Sequence, residues 1–529
     1  MVENVEIFIT ALFVSVAGLN AIARWLAIPY PIVLVLGGLV IGLIPGIPEV
    51  ELDPDLVLLI FLPPLLYSAA FFADLRALRT NARPISLLAI GLVLLTTVVV
   101  AVIGHEVIDL PWAVAFALGA IVSPTDPIAA TAIMRRVGAP RRIVNVIEGE
   151  SLVNDASALV LYKVAVTAAV GGGVSMAEAS LEFVAAAAGG VAIGIAVGFV
   201  VAAVRRRLDD PPTEITISLF TGYAAFLGAD AIGASGVLAA VATGLYLGWR
   251  APQLIAPETR LQAYAVWEVL TFLINATLFI LIGLQLPFVV EGLGSIPASE
   301  VAGYTAAVCA AVIGTRFVWQ FTVVYLVRAL DRRPRQRLRR STWQTRMVAA
   351  WSGMRGAVSL AAALALPLTT DAGAPLPGRD LILFITFALI LVTVVGQGLT
   401  LPALIRRLGV HEEDAVEETE EIRARLAASK AALVRLEELE DEEWTREETI
   451  ERVRALYHYR KRRFAIRAGM LEDEDGIEDR SVAYQRLMHV LYDAQRAALV
   501  GLRNQGEISN DVMRRVEREL DLEESRLEI

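Results

Sequence analysis

Thirteen apolar runs, most near twenty residues long, follow one another between residues 5 and 405. The segments joining them change the sign of their charge from one to the next. A helix of about twenty residues crosses about 30 Å of hydrocarbon, and only helices or closed barrels do so with every backbone polar group satisfied. The runs are 5–26, 30–47, 55–73, 84–105, 111–135, 142–169, 180–204, 213–230, 233–249, 262–288, 300–328, 346–367 and 380–405, here spans 1 to 13. One set of connections carries Arg24; Arg76, Arg79 and Arg83; Arg135, Arg136, Arg141 and Arg142; Arg205, Arg206 and Arg207; Arg250 and Arg260; the run from Arg328 to Arg346; and Arg406 and Arg407. The alternate set carries Glu3 and Glu6; Glu49, Glu51 and Asp53; Glu106 and Asp109; Glu178; Asp230; Glu291 and Glu300; Asp371 and Asp380, with Arg379 as its exception. A wrong span count would scramble this pattern. Basic connections stay on the cytoplasmic side. The reading is therefore a multi-pass plasma-membrane protein with its N-terminus outside and its C-terminus inside.

A mean hydropathy of +0.58 excludes a soluble globular protein of this size. The apolar excess belongs to residues 1–409, whereas residues 410–529 are charge-dense, so a transmembrane domain is expected to precede a helical cytoplasmic one. Glu3 and Glu6 stand at the start of the first span with no basic residue before them, which reads as a retained span, not a signal peptide. The single cysteine, Cys309, calls for no disulfide. The net charge of −10 gives no reason to expect nucleic acid as a partner.

Thirteen spans permit two inverted six-helix repeats, spans 1–6 and 8–13, joined by span 7, a plan common among secondary transporters. The test is whether corresponding spans carry corresponding defects. Span 5 contains Ser-Pro-Thr-Asp-Pro at 123–127, and its counterpart, span 12, contains Ser-Gly-Met-Arg-Gly at 352–356. Proline removes a helical hydrogen bond and clashes with the preceding turn. Both spans are thus expected to break near mid-membrane and cross, and irregular backbone there must be buried or line a wet cavity. Asp126 then caps the second half of span 5, with Pro127 at its first position. Arg355 is placed to offset a negative helix end in span 12. Carbonyls freed near Thr125 can coordinate a cation.

Span 6 carries Glu-Gly-Glu-Ser-Leu-Val-Asn-Asp at 148–155. A charge at the bilayer centre costs at least about 2.5 kcal/mol, so Glu150 and Asp155 need a function or a partner. Ser151 and Asp155, four residues apart, share one face, and Glu150 and Asn154 form the adjacent stripe. Hydroxyl, carboxylate and backbone carbonyls make an all-oxygen set suited to a hard cation. Two intramembrane arginines, Arg316 and Arg355, are available to Glu150. Arg316 is the preferred partner, because Arg355 already has the helix-end role.

At these residues the chain resembles the bacterial monovalent cation–proton antiporter family, in particular NhaP-like sodium/proton exchangers of the thirteen-helix type. The matching pieces are Leu-Pro-Pro-Leu-Leu at 62–66, Ser-Pro-Thr-Asp-Pro at 123–127, the run at 148–155 and Gly-Met-Arg-Gly at 353–356. The resemblance implies that Asp155 carries the ion and the proton. It implies that Asp126 and Ser151 ligate Na+, that Thr125 contributes its main chain, and that Glu150 pairs with Arg316. It also implies a homodimer built on scaffold helices outside the moving bundle. Where relatives often carry an acidic residue after the proline motif of span 3, this chain has Ser68 (or Tyr67), and Asn275 stands near a place where some relatives carry Glu.

The expected activity is antiport, with Na+ and H+ competing for Asp155 and only the neutralised site crossing the low-dielectric barrier. One titrating carboxylate, with the neutral Asn154 beside it, predicts a 1:1 electroneutral exchange. No cofactor is called for beyond the transported ions, and no enzyme activity is expected. Potassium/proton exchange stays open as an alternative. An anionic organic solute on the same architecture is disfavoured by two intramembrane aspartates. A channel lacks a repeated filter motif, and an intramembrane hydrolase lacks a Ser–His or metal cluster in the spans.

In the tail, helices are expected over 417–440, 445–470, 480–504 and 509–526, with Thr445 and Glu448 as a capping box. Glu-Asp-Glu-Asp at 472–475 reads as a linker. The basic stretch from Tyr457 to Arg463 suits either solvent or lipid headgroups. The tail is read either as a regulatory, dimer-supporting domain or as a solvated helical extension. His105, His411, His458 and His489 lack metal-ligand spacing.

Overall fold

The computed structural model describes residues 2–44, 54–171, 176–294, 296–330, 342–410, 414–440, 442, 444–473, 475–525 and 527. The chain divides into two compact units, Met1–Glu412 and Glu413–Ile529. Both are helical, and the β structure among the described residues is an isolated bridge between Thr369 and Pro375.

In the first unit helices stand at all thirteen expected positions. Spans 1 to 4 are Val2–Trp25, Tyr30–Gly42, Pro54–Phe71 and the continuous stretch from Ala82 to Glu106. Spans 6 to 11 are Arg141–Gly171, Met176–Arg205, Pro211–Asp230, Gly236–Leu254, Pro257–Leu284 and Ala298–Leu330. Span 13 runs from Arg379 to Leu408. Spans 5 and 12 are each interrupted. Helix 5a, Trp112–Val122, is separated from helix 5b, Pro127–Arg136, and helix 12a, Trp343–Trp351, from helix 12b, Ala357–Leu364. By length and composition seven of the described helices can cross a membrane, and three shorter apolar stretches cover Thr10–Trp25, Tyr30–Gly42 and Leu59–Phe71. Residues 45–47 of span 2, the acidic Glu49, Glu51 and Asp53, positions 331–341 of the basic run, and His411 lie outside the described residues.

Lipid tails are as apolar as leucine, so these helices gain most from close backbone packing at small residues. A Cβ at Gly38 would strike the Ile280 carbonyl, and one at Gly283 the Val35 carbonyl, so spans 2 and 10 touch backbone to backbone. Gly244 and Gly248 of span 9 lie against the carbonyls of Tyr67 and Phe71 in span 3, and Gly190 and Gly194 of span 7 against Ser235 and Ala239. Such contacts hold spans 3, 7 and 9 together beside the broken spans.

Two charges differ from their sequence roles. Arg205, counted among the basic connections, is buried and pairs with buried Glu214 at 3.2 Å, tying span 7 to span 8. Arg379, the exception on the acidic side, donates to the carbonyls of Leu366 at 2.9 Å and Leu364 at 3.2 Å. It closes the free end of helix 12b, where a cation offsets the negative helix end.

The second unit contains helices Asp414–Glu438, Glu447–Arg467, Ile477–Asn504 and Asn510–Glu524. The expected capping box is absent. Thr445 donates its hydroxyl to the Glu442 carbonyl at 2.7 Å, and the helix begins after Arg446 with no side-chain cap. Turn formation has taken the cap residue. The 472–475 segment does more than link, because Asp473 accepts the amide of Ile477 at 2.6 Å at the head of the next helix. Within the basic stretch, Arg463 pairs with Glu478 at 3.2 Å and Arg462 with Asp475, so part of its charge is satisfied inside the tail.

Candidate functional site

Proline and glycine decide where the two interrupted spans open. Between helices 5a and 5b the chain is non-helical from Ser123 to Asp126, and between 12a and 12b it is non-helical around Gly353 to Gly356. The breaks meet. The amide of Asp126 donates to the carbonyl of Met354 at 2.8 Å. Two backbone groups freed by the breaks thereby satisfy each other, as burial in a membrane requires.

Four helix ends converge at this crossing, and each pair meets a side chain of opposite charge. Asp126 caps helix 5b, accepting from Ile128 N at 2.9 Å. Its other carboxylate oxygen lies against Gly356, which is the N-cap of helix 12b. Each helix N-terminus is equivalent to about half a positive charge, so the two together balance one carboxylate. Arg355 does the converse. Its Nε donates to the Val122 carbonyl at the end of helix 5a, at 3.1 Å, and Nη1 donates to Gly353 just past the end of helix 12a. Arg355 thus serves span 5 as well as its own span 12, a wider role than the sequence suggested. Its amide donates to Thr393 Oγ1 at 3.1 Å, which anchors the crossing to span 13.

Behind the crossing runs a buried polar chain that ends at Asn154, whose Oδ1 has no hydrogen-bond partner among the described residues. Arg316 grips Glu150 with two hydrogen bonds of 2.5 and 2.9 Å, and its Nε donates to Ala349 O at 3.2 Å. Thr125 donates to Glu150 at 3.1 Å and accepts from Asn154 Nδ2 at 2.9 Å. Glu150, Asn154 and Arg316 are each only 1% exposed. Because the Thr125 hydroxyl is occupied by this chain, its main chain is what it can offer a ligand.

In front of the crossing lies a cavity of about 440 Å³, lined by Thr125, Asp126, Ser151, Asp155, Ser68 and Asn275 among others. Asp155 is 7% exposed and makes no hydrogen bond to the described residues. Ser68 spends its hydroxyl on the Leu65 carbonyl at 3.0 Å, so it presents an oxygen without the charge an acidic residue would bring. Asn275 Oδ1 is buried with no hydrogen-bond partner. The cavity therefore gathers oxygens of carboxylate, hydroxyl and amide groups, a set that suits a hard cation.

The 148–155 run is split between two environments by helix geometry alone. Ser151 and Asp155 face the cavity, and Glu150 and Asn154 face the buried chain. Asn154 is thus beside Asp155 in sequence but does not line the cavity. Sequence reasoning read Gly356 only as part of the span 12 break, and gave no role to Thr393, which carries no local signal. Any side chain at 356 overlaps the Asp126 carboxylate. Because a displacement of about 1 Å in a positioned site costs about 100-fold, Gly356→Ala is expected to cut transport by about that factor. Initial uptake rates per folded protein, with the folded fraction read from thermal unfolding, check this.

Residues 9–407 match the family described as "Sodium/hydrogen exchanger, transmembrane". Over 503 residues the chain is 37% identical to an uncharacterized Na(+)/H(+) exchanger of Mycobacterium tuberculosis, covering 94% of this chain and 91% of that one. It is 34% identical over 413 residues to the sodium, potassium, lithium and rubidium/H(+) antiporter of Bacillus pumilus, covering 75% of this chain and 61% of that one. The fold is similar to that of the sodium proton antiporter MjNhaP1 from Methanocaldococcus jannaschii, with a TM-score of 0.57 at 20% identity over 77% of this chain and 99% of that one.

Proposed function

The chain belongs to the sodium/hydrogen exchanger family, and from that premise we propose that it exchanges Na+ for H+ at Asp155, one for one. The observation that carries this reading is the inequality of the two aspartates that line the cavity. Asp126 sits at two helix N-termini, whose combined charge offsets its own. Asp155 has no such compensation among the described residues. Buried charge demands neutralisation, and for Asp155 the available agents are a cation or a proton.

The steps follow from that competition. A cation entering the cavity is held by Asp155, with Ser151, Asp126 and the Thr125 main chain completing the oxygen set. The neutral complex crosses the barrier as the crossing of spans 5 and 12, together with span 6, moves against the other spans. A proton neutralises Asp155 for the return. Since only one carboxylate changes state, no net charge moves per cycle. The protein acts in this reading as a homodimer in the plasma membrane, with its N-terminus outside and its tail in the cytoplasm. The tail is assigned a regulatory, dimer-supporting role.

Reconstituted proteoliposomes loaded with a pH-sensitive dye test the proposal. An imposed Na+ gradient is expected to drive an opposite pH change, and its absence would overturn the assignment. Repeating the assay with K+ and Li+ decides the second reading, potassium/proton exchange, which the name of the Bacillus relative motivates. An imposed membrane potential is expected to leave the wild-type rate unchanged. Asn154→Asp is expected to keep that insensitivity, because residue 154 faces Thr125 and not the cavity. Potential-driven exchange in that variant would mean that 154 titrates together with 155.

A further inference from the structure

Glu148 and Arg135 line the same cavity as Asp155. Arg135 Nη2 donates to Glu148 Oε1 at 2.6 Å, and the two side chains are 68% and 32% exposed. They therefore stand at the solvent end of the cavity, whereas Asp155 lies at its buried end. Glu148 precedes Asp155 by two helical turns, with Ser151 and Leu152 between them, and all four line the cavity from one face of span 6. Seven residues of helix put the two carboxylates about 10 Å apart along the axis. Arg135 closes helix 5b, the helix whose other end is capped by Asp126. The pair thus links the last turn of helix 5b to span 6, the two elements that carry the cavity aspartates.

We propose that Arg135 and Glu148 form a charge gate at the cavity mouth that sets the cation concentration at which Asp155 loads. The inference rests on the assignment of Asp155 as the cation-binding carboxylate. Glu148 raises the local concentration of cations, and Arg135 cancels most of that attraction while it is bound to Glu148. Exposed ion pairs contribute little to stability, so holding the fold together does not account for a charged pair at this place. Its field, in contrast, acts along the path that a cation takes to Asp155, within one screening length at moderate salt.

The two partners have opposite charges, so their removal is expected to have opposite effects. In proteoliposomes at low ionic strength, Glu148→Gln leaves Arg135 uncompensated and is expected to raise the KM for Na+ about two- to fivefold. Arg135→Gln frees Glu148 and is expected to lower it by a similar factor. Both shifts are expected to shrink when choline chloride raises the ionic strength, while the maximal rate stays within about twofold. Damage to the packing of helix 5b on span 6 would move both variants the same way, and that result would overturn the gate. So would unchanged KM values in both variants beside a silent Asp155→Asn control. Exchange persisting in Asp155→Asn is a separate result, which sinks the ion-site assignment itself.

Discussion

Asp155→Asn is expected to abolish cation–proton exchange while leaving the protein at least as stable as the wild type. The carboxylate makes no hydrogen bond to the described residues, so the isosteric amide removes no protein contact. It does remove a charge from bilayer depth, where a charge costs at least about 2.5 kcal/mol. What is lost is the ability to take up and release a proton. Removing a positioned proton-carrying group lowers rates by about 100-fold or more, and the other cavity carboxylates are engaged elsewhere, Glu148 with Arg135 at 2.6 Å. Asp126 is held at the two helix N-termini. The measurement is Na+-driven dye response in proteoliposomes beside thermal unfolding in detergent. A variant that still exchanges at more than a tenth of the wild-type rate would refute the mechanism. A variant that fails to fold would refute the claim that Asp155 has no structural partner.

Glu150→Gln, five residues away on the same helix, is expected to do the reverse. Glu150 and Arg316 are both 1% exposed and joined by two hydrogen bonds. Breaking one side of a buried pair leaves an uncompensated charge and costs about 3–5 kcal/mol. The damage spreads, because Thr125 donates to the same carboxylate and Asn154 donates to Thr125. The expected result is a much lower unfolding temperature and little recoverable protein, with any exchange loss following the loss of folded material. Replacing Arg316 as well, by Gln, is expected to restore part of the stability, since no lone charge remains and the two sites are directly coupled. Wild-type stability in the single variant would show that the pair is dispensable.

The contrast between these two carboxylates was legible in the sequence because it depends on local rules. Helical periodicity put 151 and 155 on one face and 150 and 154 on the next, and prolines and glycines marked the breaks at 123–127 and 352–356. Span positions followed from hydropathy in the same local way. Long-range pairings left weaker traces. Arg355 reaches Val122 across 233 residues of chain, and nothing near either residue announces it. Arg205 looked like an ordinary basic connection, and only packing of spans 7 and 8 buries it beside Glu214. Thr445 had the composition of a cap but was taken by a turn. The six-residue wide turns Leu87–Leu92 and Val392–Gln397, which widen spans 4 and 13, carry no mark beyond a single glycine each, Gly91 and Gly396. Glu148 lay in plain view at two helical turns from Asp155. Its meaning depended on Arg135, whose direction a sequence does not record.

The hydrogen bond from the amide of Asp126 to the carbonyl of Met354 belongs to no side chain. Every residue but proline supplies that amide, and every residue supplies that carbonyl. This one bond is therefore indifferent to the side chains at its two residues, whereas the helix ends around it need Asp126, Arg355 and a bare Gly356. Ser68, Ser151 and Asn275, which line the cavity, belong to spans 3, 6 and 10, so a substitution there leaves this backbone joint between spans 5 and 12 unaltered.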